Sequence, residues 1–224
     1  MSTPFVNIHC HNGKVGQAVI IQNIFVQNRS ELIPQTFYSL GLHPWYSNQP
    51  DLDVKSLLIK YIESDLLMVA VGEIGIDRSI KIPIDIQIRV FETQLTIAQT
   101  YNLPVIIHSV KAYSDIIHSI TKCKITIPII IHGYYGNNEI TSKLLSSGFY
   151  FSFGKQLMLK NKNALSALKR IPLERMFFET DDEHYLIQSI YRFAALELNL
   201  SVKYLKEKIC NNYSSIFNNE IVKK

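Results

Sequence analysis

Six side chains that can bind a metal ion stand at the ends of short apolar segments of this sequence. The segments read FVNIHCH, LMVAVGEIGID, LPVIIHS, PIIIHGYYG and RMFFETDD, and the six residues are His9, His11, Glu73, His108, His132 and Asp181. Short runs rich in Ile, Val and Phe are typical of buried parallel strands. Imidazoles and carboxylates at the carboxyl ends of successive strands are what a metal site at the mouth of a barrel requires. The pattern therefore predicts an enzyme.

The first candidate ligands are His9 and His11, which stand two positions apart on the first apolar run. Residues spaced by two on a strand project from the same face. Two neutral imidazoles that converge in this way suit zinc or another transition metal. An H-x-H pair by itself is more often packed or on the surface, so the remaining candidates must support it.

Glu73, in GEIGID, follows five apolar residues. A carboxylate at the end of a buried strand is either ionised and paired, or neutral at a cost in free energy. The alternative to a metal ion here is a salt bridge to Lys or Arg at the rim of the barrel.

His108 and His132 each end a run that reads I-I-H. One such histidine is usually a core residue, whereas two at the same position of neighbouring strands favour a site. Asp181 ends the run MFFETDD. We expect Thr180 to hold the Asp181 carboxylate by a hydrogen bond, and Glu179 to point the other way.

The remaining histidines differ in their surroundings. His43, in GLHPW, precedes Pro44 at a strand end, and we expect it to be a donor that faces the ligand rather than a metal ligand. His118 falls inside a helical pattern and His184 at the start of another, so we interpret both as structural.

The elements that position these residues alternate along the chain. Eight strands are predicted at 5–9, 18–26, 37–42, 67–73, 104–108, 128–132, 149–153 and 176–180. Helical periodicity follows at 51–64 (which opens with an aspartate cap), 86–102, 112–121, 137–147, 162–170, 184–199 and 201–217 (with Ser201 as its cap). This alternation predicts an α/β fold, a TIM-type (β/α)8 barrel.

The N-terminal third has too little chain for complete crossover helices. About ten residues separate the first strand from the second, and about ten separate the second from the third, fewer than a helical crossover needs. We therefore expect a slightly reduced barrel whose first one or two helices are short or missing. The alternative is that 18–26 pairs antiparallel with the first strand. A protein partner or a homodimer contact is expected at this thinly covered side.

Composition limits the class of protein. The 224 residues are 47% hydrophobic and contain no linker, which predicts a single domain over 1–224. The net charge of +4 tolerates a polyanionic partner without requiring one. Three cysteines form no disulfide framework, and neither a secretory signal nor an apolar stretch of roughly 18 residues is present. We expect a cytoplasmic protein that does not enter the membrane.

Six motifs in this order, HCH, GLHP, GEIGID, PVIIHS, IIHGYYG and ETD, resemble the TatD family of metal-dependent deoxyribonucleases, in the amidohydrolase-like barrel superfamily. The resemblance runs from Val6 to Asp181, and the tail NNYSSIF is more weakly similar. It implies a barrel with a divalent metal centre. It also implies that metal-activated water cleaves phosphodiester bonds of DNA, in the manner of a 3′ exonuclease.

The resemblance also assigns roles to residues. It implies two divalent metal ions, which could be Mg, Mn, Zn, Ni or Fe. One ion is held by His9, His11 and Asp181, and the other by His108 and His132, with Glu73 bridging both. Asp181 accepts the proton of the attacking water or orients it, and His43 lies beside the scissile phosphate. The catalytic residues are then Asp181, Glu73 and His43.

The sequence departs from the family pattern at several positions around the site. Asn7 replaces a usual Asp, Val110 replaces a usual Arg, and Asp182 and Glu183 follow the ETD motif directly. An arginine at position 110 would be a bidentate partner for phosphate. Two alternatives to DNA cleavage therefore stay open: the same metal chemistry on a small ester, amide or phosphoester, or a component of a larger complex.

Overall fold

The computed structural model describes residues 3–12, 18–27, 32–49 and 52–217. The strands in these ranges are β1 Phe5–Cys10, β2 Ala18–Phe25, β3 Phe37–Gly41, β4 Met68–Asp77, β5 Val105–Val110, β6 Ile129–Ile131, β7 Tyr150–Phe153 and β8 Met176–Phe178. The helices are α1 Val54–Ser64, α2 Ile84–Thr100, α3 Tyr113–Lys122, α4 Asn138–Ser146, α5 Lys155–Met158, α6 Lys162–Arg170, α7 Ile187–Leu198 and α8 Val202–Phe217. Short 3-10 turns lie at Pro44–Tyr46 and Leu173–Arg175.

The strands form one sheet in chain order, β1 to β8. The pairs β1–β2, β3–β4, β4–β5 and β7–β8 are parallel. The antiparallel alternative for the second strand is therefore wrong, since Phe5 pairs with Ala18 in parallel register. The chain just after β8 also meets β1, where His11 N donates to Asp181 O and Asp181 N donates to His9 O. This order of parallel strands with helices between them confirms the (β/α)8 barrel class.

The barrel is reduced at its start, as predicted. In the described parts of the connections from β1 to β3, residues 11–12, 26–27 and 32–36, there is no helix. The first α-helix, α1, follows β3 and begins after Asp53, whose carboxylate accepts from Ser56 N. The rest of the predicted contact region, 13–17 and 28–31, lies outside the described residues.

Glu73 and His108 lie well inside strands rather than at strand ends. β4 runs on to Asp77, past Glu73, and β5 runs on to Val110, past His108. The cause is mutual pairing, because Gly75 aligns with His108 and Asp77 with Val110. Backbone pairing thus extends both strands beyond the apolar runs that marked them in the sequence.

Contacts divide the chain into two compact units, 1–22 with 131–224, and 23–130. In the first unit, the Tyr191 hydroxyl of α7 accepts from Val6 N and donates to Val6 O, which ties the helix to β1. In the second unit, β4 is buried along its whole length, and Phe91 and Leu95 of α2 are fully buried. The single-domain interpretation stays a prediction.

The predicted cap of the last helix is present, since Ser201 Oγ accepts from Tyr204 N at 3.1 Å. Within the described residues, no helix combines the length and the apolar character that crossing a membrane demands.

Candidate metal centre

In the first unit, His9, His11 and Asp181 bring two imidazoles and one carboxylate together. One ligand atom from each lies within 4.8 Å of the others. His9 Nε2 and His11 Nε2 each lie 3.4 Å from Asp181 Oδ1. His9 and His11 share a face of β1 because they are two residues apart. Backbone hydrogen bonds between the end of β1 and Asp181 place its carboxylate beside them.

Asp181 is held in a specific conformation and in the ionised state. Its φ of 55° lies in the left-handed region, which Asp tolerates better than most residues. Burial opposes ionisation, but hydrogen bonds from His11 and His9, with the charges of His9 and His132, outweigh it and hold the pKa of this carboxyl well below its usual range. A carboxylate that stays charged between imidazoles is suited to bind a cation.

His132 joins this unit from the end of β6 and is paired with Glu179. The ring of His132 lies 4.4 Å from that of His9, centroid to centroid. Its Nδ1 is 3.2 Å from Glu179 Oε1, which also accepts from Gly133 N at 2.7 Å. The prediction that Glu179 points the other way is wrong. Glu179 and Asp181 are two residues apart, a spacing that strand alternation places on one face rather than on opposite faces.

Thr180 does not hold the Asp181 carboxylate as predicted. Its hydroxyl accepts from Asn7 Nδ2 at 2.8 Å, and its backbone N donates to Asn7 Oδ1 at 3.1 Å. The amide of Asn7 matches this pair of groups, one donor and one acceptor. Asn7 therefore fastens β1 to the segment that carries Asp181.

In the second unit, His43, Glu73 and His108 form another cluster of possible ligands. His108 Nδ1 lies 2.8 Å and His43 Nε2 3.4 Å from Glu73 Oε1. His43 Nδ1 accepts from Trp45 N, which assigns the proton of the neutral ring to Nε2. Glu73 is 3% exposed, and its other oxygen, Oε2, accepts from Asn23 Nδ2 at 3.4 Å.

Asp77 contacts the same cluster and was missed in the sequence. Its Oδ2 lies 3.3 Å from His108 Nε2 and accepts from Trp45 Nε1 at 2.9 Å, while Oδ1 accepts from the backbone and hydroxyl of Ser79. Burial opposes ionisation, but the Ser79 and Trp45 hydrogen bonds outweigh it and lower the pKa of Asp77. The sequence could have indicated Asp77, because it ends the segment MVAVGEIGID that also contains Glu73.

The donor sets of both clusters fit a divalent metal. Neutral imidazole nitrogens combined with carboxylate oxygens suit Zn, Mn, Fe or Ni, and the oxygens also suit Mg. Both sets contain nearly buried members, His9 and Glu73. In metal sites, a histidine that binds the ion through one ring nitrogen regularly contacts a carboxylate through the other. Glu179 contacts His132 in this manner, and Asp77 contacts His108.

Two residues that depart from the family pattern, Glu183 and Val110, have neighbours that are already paired. Glu183 forms an ion pair with Lys155 at 2.5 Å, which offsets its charge. Val110 O accepts from Arg78 N, and the Arg78 guanidinium forms a bidentate pair with Asp115, at 2.7 Å for each bond. The guanidinium of Arg78, whose backbone meets Val110, is thus already engaged by a carboxylate.

Comparisons with known proteins agree on one family. The family model described as TatD related DNase matches residues 7–218. YabD of Bacillus subtilis, named an uncharacterized metal-dependent hydrolase, is 34% identical over 65% of this chain and 58% of its own length. A protein of Haemophilus influenzae with the same description is 29% identical over 70% of this chain and 63% of its own length. The matches thus span less than two thirds of these two relatives.

Solved structures show the same fold. The TatD homologue YjjV of Escherichia coli superposes with a TM-score of 0.84 at 19% identity, covering 98% of this chain and 100% of that one. A TatD family hydrolase of Entamoeba histolytica gives 0.83 at 17% identity, covering 97% and 99%. Taken with the match to nearly the whole sequence, these likenesses lead to one conclusion: the chain belongs to the family of TatD-related DNases.

Proposed function

We propose that this protein is a divalent-metal-dependent hydrolase that cleaves phosphodiester bonds of DNA, in the manner of a 3′ exonuclease. The observation that carries the proposal is the cluster of His9, His11 and Asp181. The name of the matched family supports DNA as the substrate, and the names of the relatives support metal-dependent hydrolysis.

The residues of the first cluster would hold a metal ion, and those around Glu73 and His108 would hold another. A bound divalent ion supplies an activated water at neutral pH and stabilises negative charge on phosphate oxygens. The number of ions, the bridging role of Glu73 and the assignment of His132 to the second ion stay predictions.

Asp181 would orient the attacking water, and His43 would contact the phosphate of the substrate. The low pKa of Asp181 keeps it charged, which favours its role in orienting the water over its role as the final proton acceptor. His43 presents an Nε2 proton beside Glu73, and a donor of this kind can bind a phosphate oxygen.

The test is metal-dependent trimming of labelled single-stranded DNA. Protein stripped with a chelator is reloaded with Mg²⁺, Mn²⁺ or Zn²⁺, and products are resolved on a gel. We expect shortening from the 3′ end, abolished in Asp181→Ala and His9→Ala. His118→Ala is the matched control, because His118 is an exposed histidine of α3 outside both clusters. Inactivity of the unaltered protein with every metal and DNA form would contradict the proposal.

A second candidate is the same metal chemistry on a small ester, amide or phosphoester. Val110 favours it, because Val offers no charge to phosphate and the neighbouring Arg78 is paired with Asp115. A panel of chromogenic small substrates distinguishes the two, since turnover of these without cleavage of DNA would select the second candidate.

Other expectations concern the cellular location and the partners of the protein. A cytoplasmic location stays a prediction, in keeping with the free thiols of Cys10, Cys123 and Cys210. A homodimer or a protein partner at the N-terminal side, and a role within a larger complex, also stay predictions. Size-exclusion chromatography with light scattering tests the dimer, and full activity of the isolated chain would argue against the complex.

A further inference from the structure

We propose that Trp45 is a stacking platform for the substrate base next to the scissile phosphate. The inference rests on the proposed function and extends it to the part of the nucleotide that the metal clusters do not contact. It concerns residues of the second unit only, Trp45 with His43, Asp77 and His108.

Trp45 is the only tryptophan of the chain, and it is 54% exposed. Tryptophan is usually well buried, because its large ring contributes much apolar area to a core. A single exposed apolar side chain is ordinary by itself. What distinguishes Trp45 is how firmly its ring is held and what it lies against.

Trp45 is held at two points, through its indole Nε1 and through its backbone N. Its Nε1 donates to Asp77 Oδ2 at 2.9 Å, and its backbone N donates to His43 Nδ1 at 3.2 Å within the 3-10 turn Pro44–Tyr46. The ring also meets that of His43 edge to face, at 4.7 Å and 79°. An aromatic ring whose polar group is already satisfied, and which remains more than half exposed, is preorganised to bind a flat partner.

Trp45 lies next to the cluster of His43, Glu73 and His108. The Trp45 ring lies 6.3 Å from that of His108, which contacts Glu73, and Asp77 contacts both Trp45 and His108. A phosphate held at Glu73 and His108 therefore has its own base within reach of Trp45. Every base has a π face, so stacking on Trp45 would tolerate any base at this position.

The test compares substrates that differ only in the base. Trp45→Ala and Trp45→Phe are assayed on oligonucleotides whose 3′-terminal nucleotide is either intact or abasic. For Trp45→Ala we expect KM to rise about 5- to 150-fold on the intact strand, the range that stacking of one base supports. We expect kcat to change little, and the abasic strand to be unaffected. Trp45→Phe retains most of the affinity. Tyr204→Ala removes another exposed aromatic, on α8, and serves as the control.

A structural role has a different signature. If Trp45 served only to position Asp77 and His108, Trp45→Ala would impair both substrates equally and lower the metal content of the purified protein. That result would overturn the inference.

Binding without cleavage separates this inference from the proposed function. Because the chain has a single tryptophan, its emission reports on position 45. With protein stripped of metal, freed of chelator and loaded with Ca²⁺, a short oligothymidylate should quench this emission, and an abasic strand of the same length should not. Quenching without any cleavage in Mg²⁺, Mn²⁺ or Zn²⁺ contradicts the proposed function and keeps the inference. Cleavage without quenching, or with an unchanged KM in Trp45→Ala, overturns the inference alone.

Discussion

Two buried carboxylates, Glu179 and Asp77, each contact a histidine that is a candidate metal ligand. Glu179 is 1% exposed and lies against Nδ1 of His132, whereas Asp77 is 2% exposed and lies against Nε2 of His108. A carboxylate on one imidazole nitrogen sets the tautomer and raises the basicity of the other. The same arrangement thus occurs once in each unit, through residues that are not themselves candidate ligands.

Glu179→Gln tests this arrangement. The amide keeps an oxygen for Gly133 N but loses the charge that supports His132, so we expect metal affinity to fall about 10- to 100-fold. Competition with a chromogenic chelator measures it. Glu174→Gln is the control, since Glu174 is a surface residue paired with Lys208. Equal metal affinity in the two variants would show that Glu179 does not support His132.

Asn7→Ala removes both hydrogen bonds to Thr180. Because these groups are buried, we expect the free energy of unfolding to drop by about 2–3 kcal/mol. Urea denaturation measures the change, and Thr180→Val with the double variant completes a mutant cycle. Additive losses in the cycle would mean that Asn7 acts through groups other than the Thr180 hydroxyl.

At the scale of elements, the close pairing of β4 with β5 brings Glu73 and Asp77 to His108. The two acidic residues are four apart on β4 and so share a face, and each contacts the His108 ring. The approach of the strands depends on Gly75. A Cβ at this position would lie 1.9 Å from His108 O, and its φ of 154° is one that side chains rarely adopt.

Gly75→Ala should therefore disrupt the pairing. We expect a loss of at least about 3 kcal/mol in the free energy of unfolding, from steric overlap with the backbone of β5. Gly148→Ala is a matched control, because Gly148 also has a positive φ, of 83°, but its Cβ would meet nothing within 4 Å. That variant should lose only about 1 kcal/mol. Similar denaturation midpoints for the two variants would refute the steric explanation.

At the scale of the whole molecule, each compact unit carries its own cluster of possible metal ligands. The first unit holds His9, His11 and Asp181, and the second holds Glu73 and His108. An ion bound to either cluster stabilises the folded chain, because the unfolded chain does not bring the ligands together.

Removal of metal should destabilise the protein. At a metal concentration 100 times Kd, binding adds about 2.7 kcal/mol, and a chain of this size shifts about 2–4 °C per kcal/mol. We expect a chelator to lower the thermal midpoint by about 5–10 °C on this basis, as measured by calorimetry. Asp181→Asn should shrink the shift and His118→Ala should preserve it. A midpoint that does not respond to the chelator would contradict metal binding by the folded state.

By itself, the sequence determined the order of the strands and of every helix except the short α5, the reduced start of the barrel and the set of candidate ligands. These features are local: apolar runs mark buried strands, and side-chain spacing marks which face a residue occupies. Only the tertiary structure decided which groups meet. Asn7 and Thr180 are 173 positions apart. Glu179 and His132 are 47 positions apart, and β4 reaches Asp77 because β5 pairs with it. Contacts of this kind depend on how distant segments pack, which no local pattern encodes.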